Sequence, residues 1–422
     1  MEKSEKKFIL FLGDLILLYL SLFLTLLIRF FNNFNFEILK EHLFPFSVLY
    51  IFWILVFYIF DLYDFSFLKS TGLRILGALT INFILSVLFF YFLPFVKITP
   101  KTNLILNTLI FGSSCFIWRL IFYYFFSIKF FKKIVVLGKG KEVEILKKEI
   151  KEKSFLGYKL VSIEEKPEIV IFANEEKNNP DFLKLIDEFL LKKIDFWNLE
   201  TAYEKILEKI PLEQISKIWF LENLKEGEKK IYDRVKRIFD VVLSFLILFF
   251  TLWLWPLIAL AIKIEDGGPI FYKQKRAGKD KKIFELIKFR SMIPEAEKRG
   301  SLWTEIEDRR ITKVGKFLRK FHLDEIPQMI NILKGDISLV GPRPERIELV
   351  EKYEKEIPYF YLRHLVKPGF TGWAQIKFKY GRSSEDYLEK FQYELYYIKN
   401  RSLILDFKIL LKTFQLFFKK EQ

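Results

Sequence analysis

The sequence has 422 residues and a mass of 50.9 kDa, which is enough for two or three domains. Hydrophobic residues make up 51% of the chain and its net charge is +16, a combination that favours anionic lipid headgroups or phosphorylated substrates as partners. No zinc-finger, RRM or other nucleic-acid signature occurs in the sequence. The single cysteine, Cys115, excludes an intramolecular disulfide and a cysteine-rich metal site.

Residues 1–130 predict a transmembrane domain of four helices. Each apolar segment is long enough to cross a bilayer, and the segments lie at 8–31, 43–62, 73–96 and 104–127. The first is too long for a signal peptide and no small-residue cleavage site follows it, so we expect it to be retained. Lysine and arginine are most frequent before the first helix, after the second and after the fourth, which predicts that both ends of this domain face the cytoplasm.

Residues 131–225 predict a small Rossmann-like α/β domain, because strand and helix patterns alternate. The predicted elements are strands at 132–137, 168–174, 193–199 and near 217–221, and helices at 141–152, 181–192 and 201–209. Gly138 and Gly140 follow the first strand, but Val143 occupies the position of the third glycine in a dinucleotide fingerprint. A structural, regulatory or dimerising role is therefore favoured over dinucleotide binding.

Residues 226–263 form a polar linker followed by an apolar segment, Val241 to Ile262. Pro256 removes a helix hydrogen bond and predicts a break within this segment. Basic residues flank the segment on both sides, so the charge bias does not orient it. The segment is therefore either a fifth span or a helix that enters the membrane and turns back.

Residues 264–422 contain the strongest sign of chemistry, the adjacent carboxylates Asp324 and Glu325 on a predicted amphipathic helix. Basic residues precede the pair, and Pro342 and Pro344 fix the backbone on both sides of Arg343. Two carboxylates among many cations suit a divalent metal and a phosphorylated substrate. The alternative is a solvated helix face whose basic neighbours are ordinary ion-pair partners.

This C-terminal region resembles the bacterial sugar transferases, the polyprenyl-phosphate hexose-1-phosphate transferases, which are monotopic phosphoglycosyl transferases. The matching pieces are KRIFD (236–240), GPIFYKQKRAGK (268–279), KFRSM (288–292), the run 308–345 and VKPGFTGWAQI (366–376). Four N-terminal spans and a degenerate Rossmann-like domain resemble the long members of the undecaprenyl-phosphate galactose or glucose phosphotransferase type. The implied fold is a membrane α plus α/β protein with a re-entrant membrane helix, broken at Pro256, and a mainly α catalytic domain at 264–422 with interfacial amphipathic helices.

The resemblance implies transfer of a sugar-1-phosphate from a UDP-sugar to undecaprenyl phosphate, releasing UMP, at the start of exopolysaccharide, capsule or O-antigen synthesis. Asp324 would be the nucleophile that forms a phosphosugar intermediate. Glu325 would act beside it, and both would hold Mg²⁺. The residues implied in phosphate or substrate binding are Lys288, Arg290, Arg343, Arg276, Arg382 and Gln375, with Trp373 as a further candidate for sugar or base contact.

The resemblance also implies a multi-pass protein of the bacterial inner membrane, with its catalytic domain in the cytoplasm, membrane lipids as partners and a homodimeric assembly. Two alternatives remain open. One is a non-catalytic membrane scaffold of a polysaccharide assembly machine. The other is a glycosyltransferase that releases UDP, although the sequence has no convincing Asp-x-Asp metal pattern at a strand end.

Overall fold

The computed structural model divides the chain into two compact units, residues 1–202 and 203–422, and each is described by itself. The residues that the structure describes are 3–63, 71–92, 101–128, 131–152, 157–180, 182–183, 186, 189, 194–224, 226–294, 308–378, 381 and 383–418.

The first unit begins with four helices, as predicted: α1 (Lys3–Arg29), α2 (Phe36–Ile59), α3 (Thr71–Phe92) and α4 (Lys101–Ile128). All four are long and apolar enough to cross a membrane. Polar side chains join them inside the bundle, and the strongest link is a buried ion pair in which Arg119 of α4 donates to both oxygens of Asp14 in α1, at 2.7 and 2.9 Å. A charge inside a membrane bundle is stable only when it is paired in this way.

A four-stranded parallel sheet follows the helices, in the order β2-β1-β3-β4. Its strands are β1 (Lys132–Leu137), β2 (Tyr158–Leu160), β3 (Ile169–Phe172) and β4 (Asp195–Asn198). The predicted helix at 141–152 is present as α5 (Lys141–Glu152), whereas β2 was not predicted, because three residues carry too little pattern. The predicted helix at 181–192 lies largely outside the described residues.

The last two elements predicted for this domain differ in the structure. The helix predicted at 201–209 is a short helix α6 (Leu199–Ala202) followed by a π-helical turn, Tyr203–Leu207. The strand predicted near 217–221 is wrong, because these residues form helix α7 (Lys217–Leu224). Phe220 and Leu224, four residues apart, lie on the same face of α7 and pack into the core of the second unit.

The apolar segment of the second unit forms a helix pair, α8 (Lys230–Thr251) and α9 (Leu254–Asp266), with a bend of 63° at the break before α9. The break lies at Leu252 and Trp253, and Pro256 sits in the first turn of α9, where its missing N–H leaves no intrahelical bond unmade. By length and composition the pair fits either a broken span or a re-entrant loop, and we call it the membrane hairpin. Large apolar side chains around its bend, including Phe249, are exposed.

The remainder of the second unit is mostly helical, with two small sheets. Antiparallel strands β5 (Phe271–Ala277) and β6 (Ile283–Phe289) form one, and parallel strands β7 (Ser338–Val340) and β8 (Gly369–Thr371) form the other. The helices are α10 (Lys313–Lys320), α11 (Gln328–Lys334), α12 (Ile347–Glu356), α13 (Trp373–Lys377), α14 (Ser384–Asn400) and α15 (Leu403–Phe418). Most of them share one core, to which α11, β7 and α14 all contribute. Leu318 of α10 instead packs in a separate cluster with Ile258, Ile262 and Phe289.

Candidate active site

The carboxylate pair lies on a short 3-10 turn between two helices, and not on a helix as predicted. Helix α10 ends at Lys320, and His322 then adopts a left-handed backbone conformation with φ 53°. Because an α-helix needs negative φ at each residue, the backbone at His322 interrupts it. The turn Leu323–Glu325 carries both carboxylates, and α11 starts at Gln328.

Asp324 is the buried member of the pair, with 7% of its surface exposed. Burial and the neighbouring Glu325 raise the pKa of Asp324, and nearby cations only partly oppose this rise. In the part of the chain that the structure describes, no side chain donates a hydrogen bond to its carboxylate. The lone pairs of Asp324 are therefore available to an electrophile, which is what a carboxylate nucleophile requires.

Glu325 is held by cations instead. Lys288 Nζ of β6 lies 2.5 Å from Glu325 Oε1, and Arg343 Nη2 lies 3.9 Å from the same atom. Burial alone would raise the pKa of Glu325, but Lys288 and Arg343 outweigh it and lower the pKa to about 2. The two adjacent carboxylates thus have different environments, and Glu325 is the one that pairs with Lys288 and lies near Arg343.

The Gly-Pro-Arg-Pro turn, residues 341–344, is held by hydrogen bonds to its backbone carbonyls. The Arg343 side chain is 45% exposed. Arg363 Nη2 donates to the carbonyl of Arg343 at 2.9 Å, and Arg276 Nη1 donates to the carbonyl of Pro344 at 3.0 Å. The backbone N–H of Ala277 donates to the carbonyl of Glu345 at 3.2 Å. Three consecutive carbonyls are therefore hydrogen-bonded, which holds the backbone from which the Arg343 side chain projects.

The other predicted site residues occupy different positions. Arg276 braces the turn, as described, and Arg290 is buried and paired with Asp266. Gln375 is half-buried, and Arg382 lies outside the described residues. Their roles in substrate binding stay predictions.

Trp373 does not face a substrate surface. It is 1% exposed, stacks on Tyr396 and donates its indole N–H to the carbonyl of Glu208 at 3.0 Å. His364 is also a packing residue, since its Nδ1 lies 3.0 Å from the carbonyl of Gly278 and burial lowers its pKa to about 4. The exposed residue His322 shapes the turn through its left-handed backbone conformation.

Four residues of the membrane hairpin make contacts around the site that were not predicted. Its first arm provides Arg237, which donates to the last carbonyls of α11 at 2.5 and 2.7 Å, and Asp240, which accepts the Leu339 N–H at 3.0 Å. Its second arm provides Glu265, which accepts hydrogen bonds from the backbone at the start of α10, and Asp266, which pairs with Arg290. Lys236, on the first arm, pairs with Asp406 at 2.6 Å.

Comparison with known proteins finds similarity in the part of the chain that carries this site. The family model described as "Bacterial sugar transferase" matches residues 231–420. A UDP-N-acetylgalactosamine-undecaprenyl-phosphate N-acetylgalactosaminephosphotransferase of Aeromonas hydrophila is 42% identical over 183 residues, 43% of this chain and 43% of that protein. A UDP-glucose:undecaprenyl-phosphate glucose-1-phosphate transferase of Escherichia coli is 44% identical over 184 residues, 42% of this chain and 39% of that protein.

The chain thus spans about two fifths of the length of these two relatives. A shorter protein, the uncharacterized sugar transferase EpsL of Bacillus subtilis, is 41% identical over 186 residues, which are 44% of this chain and 84% of that protein. The similarity covers both carboxylates, Lys288 and Arg343, because all of them lie within the matched residues. The chain belongs to the bacterial sugar transferase family.

Proposed function

We propose that this protein transfers a sugar-1-phosphate from a UDP-sugar to undecaprenyl phosphate, giving undecaprenyl-diphosphate-sugar and UMP. The observation that carries the proposal is the asymmetry of the carboxylate pair. Asp324 accepts no hydrogen bond from the described side chains, while Glu325 is bound by Lys288 and approached by Arg343. The family membership and the names of the relatives, which specify undecaprenyl-phosphate acceptors, support this assignment.

The reaction would proceed in two displacements at one phosphorus atom. A carboxylate oxygen of Asp324 attacks the β-phosphorus of the donor, the bond from that phosphorus to the bridging oxygen breaks, and UMP leaves with this oxygen. A phosphate oxygen of undecaprenyl phosphate then attacks the phosphosugar on Asp324 and restores the free carboxylate. The covalent intermediate divides one difficult displacement into two easier ones.

In this proposal, groups around the carboxylate pair stabilise the negative charge of the donor's diphosphate. Arg343, exposed on a fixed turn, suits the non-bridging oxygens of the diphosphate, because a guanidinium binds phosphate through two donors. Asp324 and Glu325 also fit Mg²⁺, which binds phosphate substrates through one or two protein carboxylates. Bound there, the ion would neutralise charge on the diphosphate.

We infer that the membrane hairpin is re-entrant and that the site faces the cytoplasm, where nucleotide sugars are made. Two features support this inference. Both arms contact elements of one compact unit, Arg237 on the first arm and Glu265 on the second. Helix α9 has 13 residues and is about 20 Å long, which is too short for a hydrocarbon core of about 30 Å.

We further propose that the sheet at 132–198 belongs to a small Rossmann-like domain, with a role in structure or assembly, in a homodimeric protein of the bacterial inner membrane. The parallel strand order supports the fold. Gly138 packs against Ala173, and a Cβ on this glycine would lie 2.6 Å from the Ala173 Cβ. Light scattering of the protein in nanodiscs would test the dimer.

The decisive experiment uses the full chain in nanodiscs with Mg²⁺, undecaprenyl phosphate and a panel of UDP-sugars. We expect UMP, with sustained release dependent on the lipid phosphate, and no UMP from Asp324→Asn. Asp280→Asn is the matched control, because Asp280 is an exposed aspartate in a left-handed conformation that asparagine tolerates. Release of UDP would show a glycosyltransferase instead. If neither UMP nor UDP were released, the result would favour the non-catalytic scaffold.

A further inference from the structure

Two consecutive carboxylates, Glu265 and Asp266, end the second arm of the membrane hairpin, and each contacts an element that leads to the carboxylate pair. Glu265 Oε1 accepts the backbone N–H of Lys313 at 2.6 Å, and Glu265 Oε2 accepts that of Val314 at 3.0 Å. Asp266 pairs with Arg290, immediately after β6. The family resemblance assigns no role to either residue.

Glu265 controls the start of α10. The first N–H groups of a helix have no partner within it, and here two are satisfied by Glu265, while Thr312 Oγ1 accepts the third, from Gly315, at 2.9 Å. A negative charge at this end also complements the helix dipole. Helix α10 has only eight residues before the backbone turns at His322, so its start lies little more than two helical turns from the turn that carries Asp324.

Asp266 contacts the end of β6, the strand that carries Lys288. Arg290 is 6% exposed, so its buried charge depends on an anionic partner, and Asp266 provides it. Gly268 makes room for this arrangement, since a Cβ at this position would overlap the Arg290 guanidinium. Lys288 lies two residues earlier and on the same face of β6, where it binds Glu325.

We propose that Glu265 and Asp266 are positioning residues that set Asp324 and Glu325 relative to each other, so that the membrane hairpin determines the geometry of the reacting carboxylates. Glu265 acts on Asp324 through α10, and Asp266 acts on Glu325 through β6 and Lys288. Neither touches the substrate. The catalytic half of this inference rests on the proposed phosphosugar transfer, whereas the capping of α10 is independent of it.

The test compares wild type, Glu265→Ala and Glu265→Gln in nanodiscs by UMP release and by hydrogen exchange of the peptide that covers 313–321. We expect Glu265→Ala to lower kcat by about 10²-fold, with the donor KM changed less than about twofold, since misplacement of reacting groups affects the rate rather than uniform binding. Exchange should accelerate in 313–321 and not in α12. Glu265→Gln, which keeps one acceptor oxygen, should recover part of both effects.

The matched control is Glu351→Ala, which removes an exposed carboxylate from α12. If Glu265→Ala and Glu265→Gln keep the wild-type kcat, or if kcat falls without a change in exchange at 313–321, the positioning role is wrong. If Glu265→Ala does not fold, Glu265→Gln decides by the same criteria. Absence of UMP from wild type would overturn the proposed function alone, because the exchange measurement still reports whether Glu265 caps α10.

Discussion

Lys288 Nζ lies 2.5 Å from Glu325 Oε1, whereas the carboxylate of the preceding residue, Asp324, accepts no hydrogen bond from the side chains that the structure describes. One cation thus gives two adjacent carboxylates different surroundings, since Lys288 pairs with Glu325 and not with Asp324. The difference does not come from the residue types, which are nearly equivalent in solution. It comes from the position of β6 next to the turn that carries the pair.

Replacing Lys288 with methionine should leave Glu325 with only the more distant Arg343 as a cationic neighbour. Glu325 would lose its closest cation, and the pKa of Asp324 would rise further because Lys288 normally lowers it. We expect UMP release to fall by about 10²–10³-fold, the usual effect of removing one charge-stabilising donor. Lys275→Met removes the same charge from an exposed position of β5 and serves as control. Equal rates for the two variants would contradict the assignment.

The stability of the second unit should depend on pH through Glu394. Burial raises the pKa of Glu394 from its ordinary value of 4.5 to about 7, although Arg363, 2.8 Å away, opposes the rise. Between these pH values the folded protein keeps a proton that the unfolded chain releases, so the free energy of unfolding should decrease as pH rises from 4.5 to 7.

Glu394→Gln removes this titration and keeps an oxygen that can accept the Arg363 hydrogen bond. The thermal unfolding midpoint of this variant, measured in nanodiscs from pH 4.5 to 7.5, should decline less than that of wild type. Glu351→Gln, which changes an exposed carboxylate, should follow the wild-type curve. Parallel curves for Glu394→Gln and wild type would show that Glu394 ionises normally.

The parts of the fold that could be predicted from the sequence are those fixed by local pattern. Four long apolar segments predict α1 to α4, because length and hydropathy alone decide whether a helix can cross a bilayer. Helix α5 could also be predicted, because its apolar residues recur at helical spacing and Val143, Leu146 and Ile150 are buried on one face. A short apolar run is ambiguous, and the residues at 217–221 were mistaken for a strand although they belong to α7.

The composition of the site was predictable but its geometry was not. Asp324, Glu325, Lys288 and Arg343 are brought together as the motifs suggest. The positive φ of His322 that ends α10 has no local signature, since histidine adopts this conformation only where the surrounding structure imposes it. The partners of Glu265 lie 48 and 49 residues away, so only the tertiary fold reveals that this carboxylate caps α10.

Gly315 should be intolerant of a side chain. A Cβ at this position would lie 2.0 Å from the backbone oxygen of Ser291, so α10 would have to move away from the segment after β6. Gly315→Ala should lower the free energy of unfolding by about 1–3 kcal/mol, the usual effect of overpacking, and should reduce UMP release. Helix propensity alone predicts the opposite sign, a gain of up to about 1 kcal/mol.

Gly227→Ala is the control for Gly315→Ala, because no atom lies within 4 Å of a Cβ at Gly227. Unfolding midpoints and initial rates of UMP release should be measured for both variants and for wild type. An active Gly315→Ala protein with wild-type stability would mean that α10 does not pack against Ser291.

The buried pair Asp14–Arg119 should show the cost of an isolated charge inside the membrane bundle. Asp14→Asn leaves the Arg119 guanidinium buried without its anion, and removing one partner of a buried ion pair destabilises a protein by about 3–5 kcal/mol. The double variant Asp14→Asn with Arg119→Gln removes both charges and should therefore be more stable than Asp14→Asn alone. Thermal unfolding in nanodiscs, followed for wild type, both single variants and the double variant, measures the coupling between the two residues. If the two single changes add in the double variant, Asp14 and Arg119 stabilise the bundle independently and the ion pair is not what joins α1 to α4.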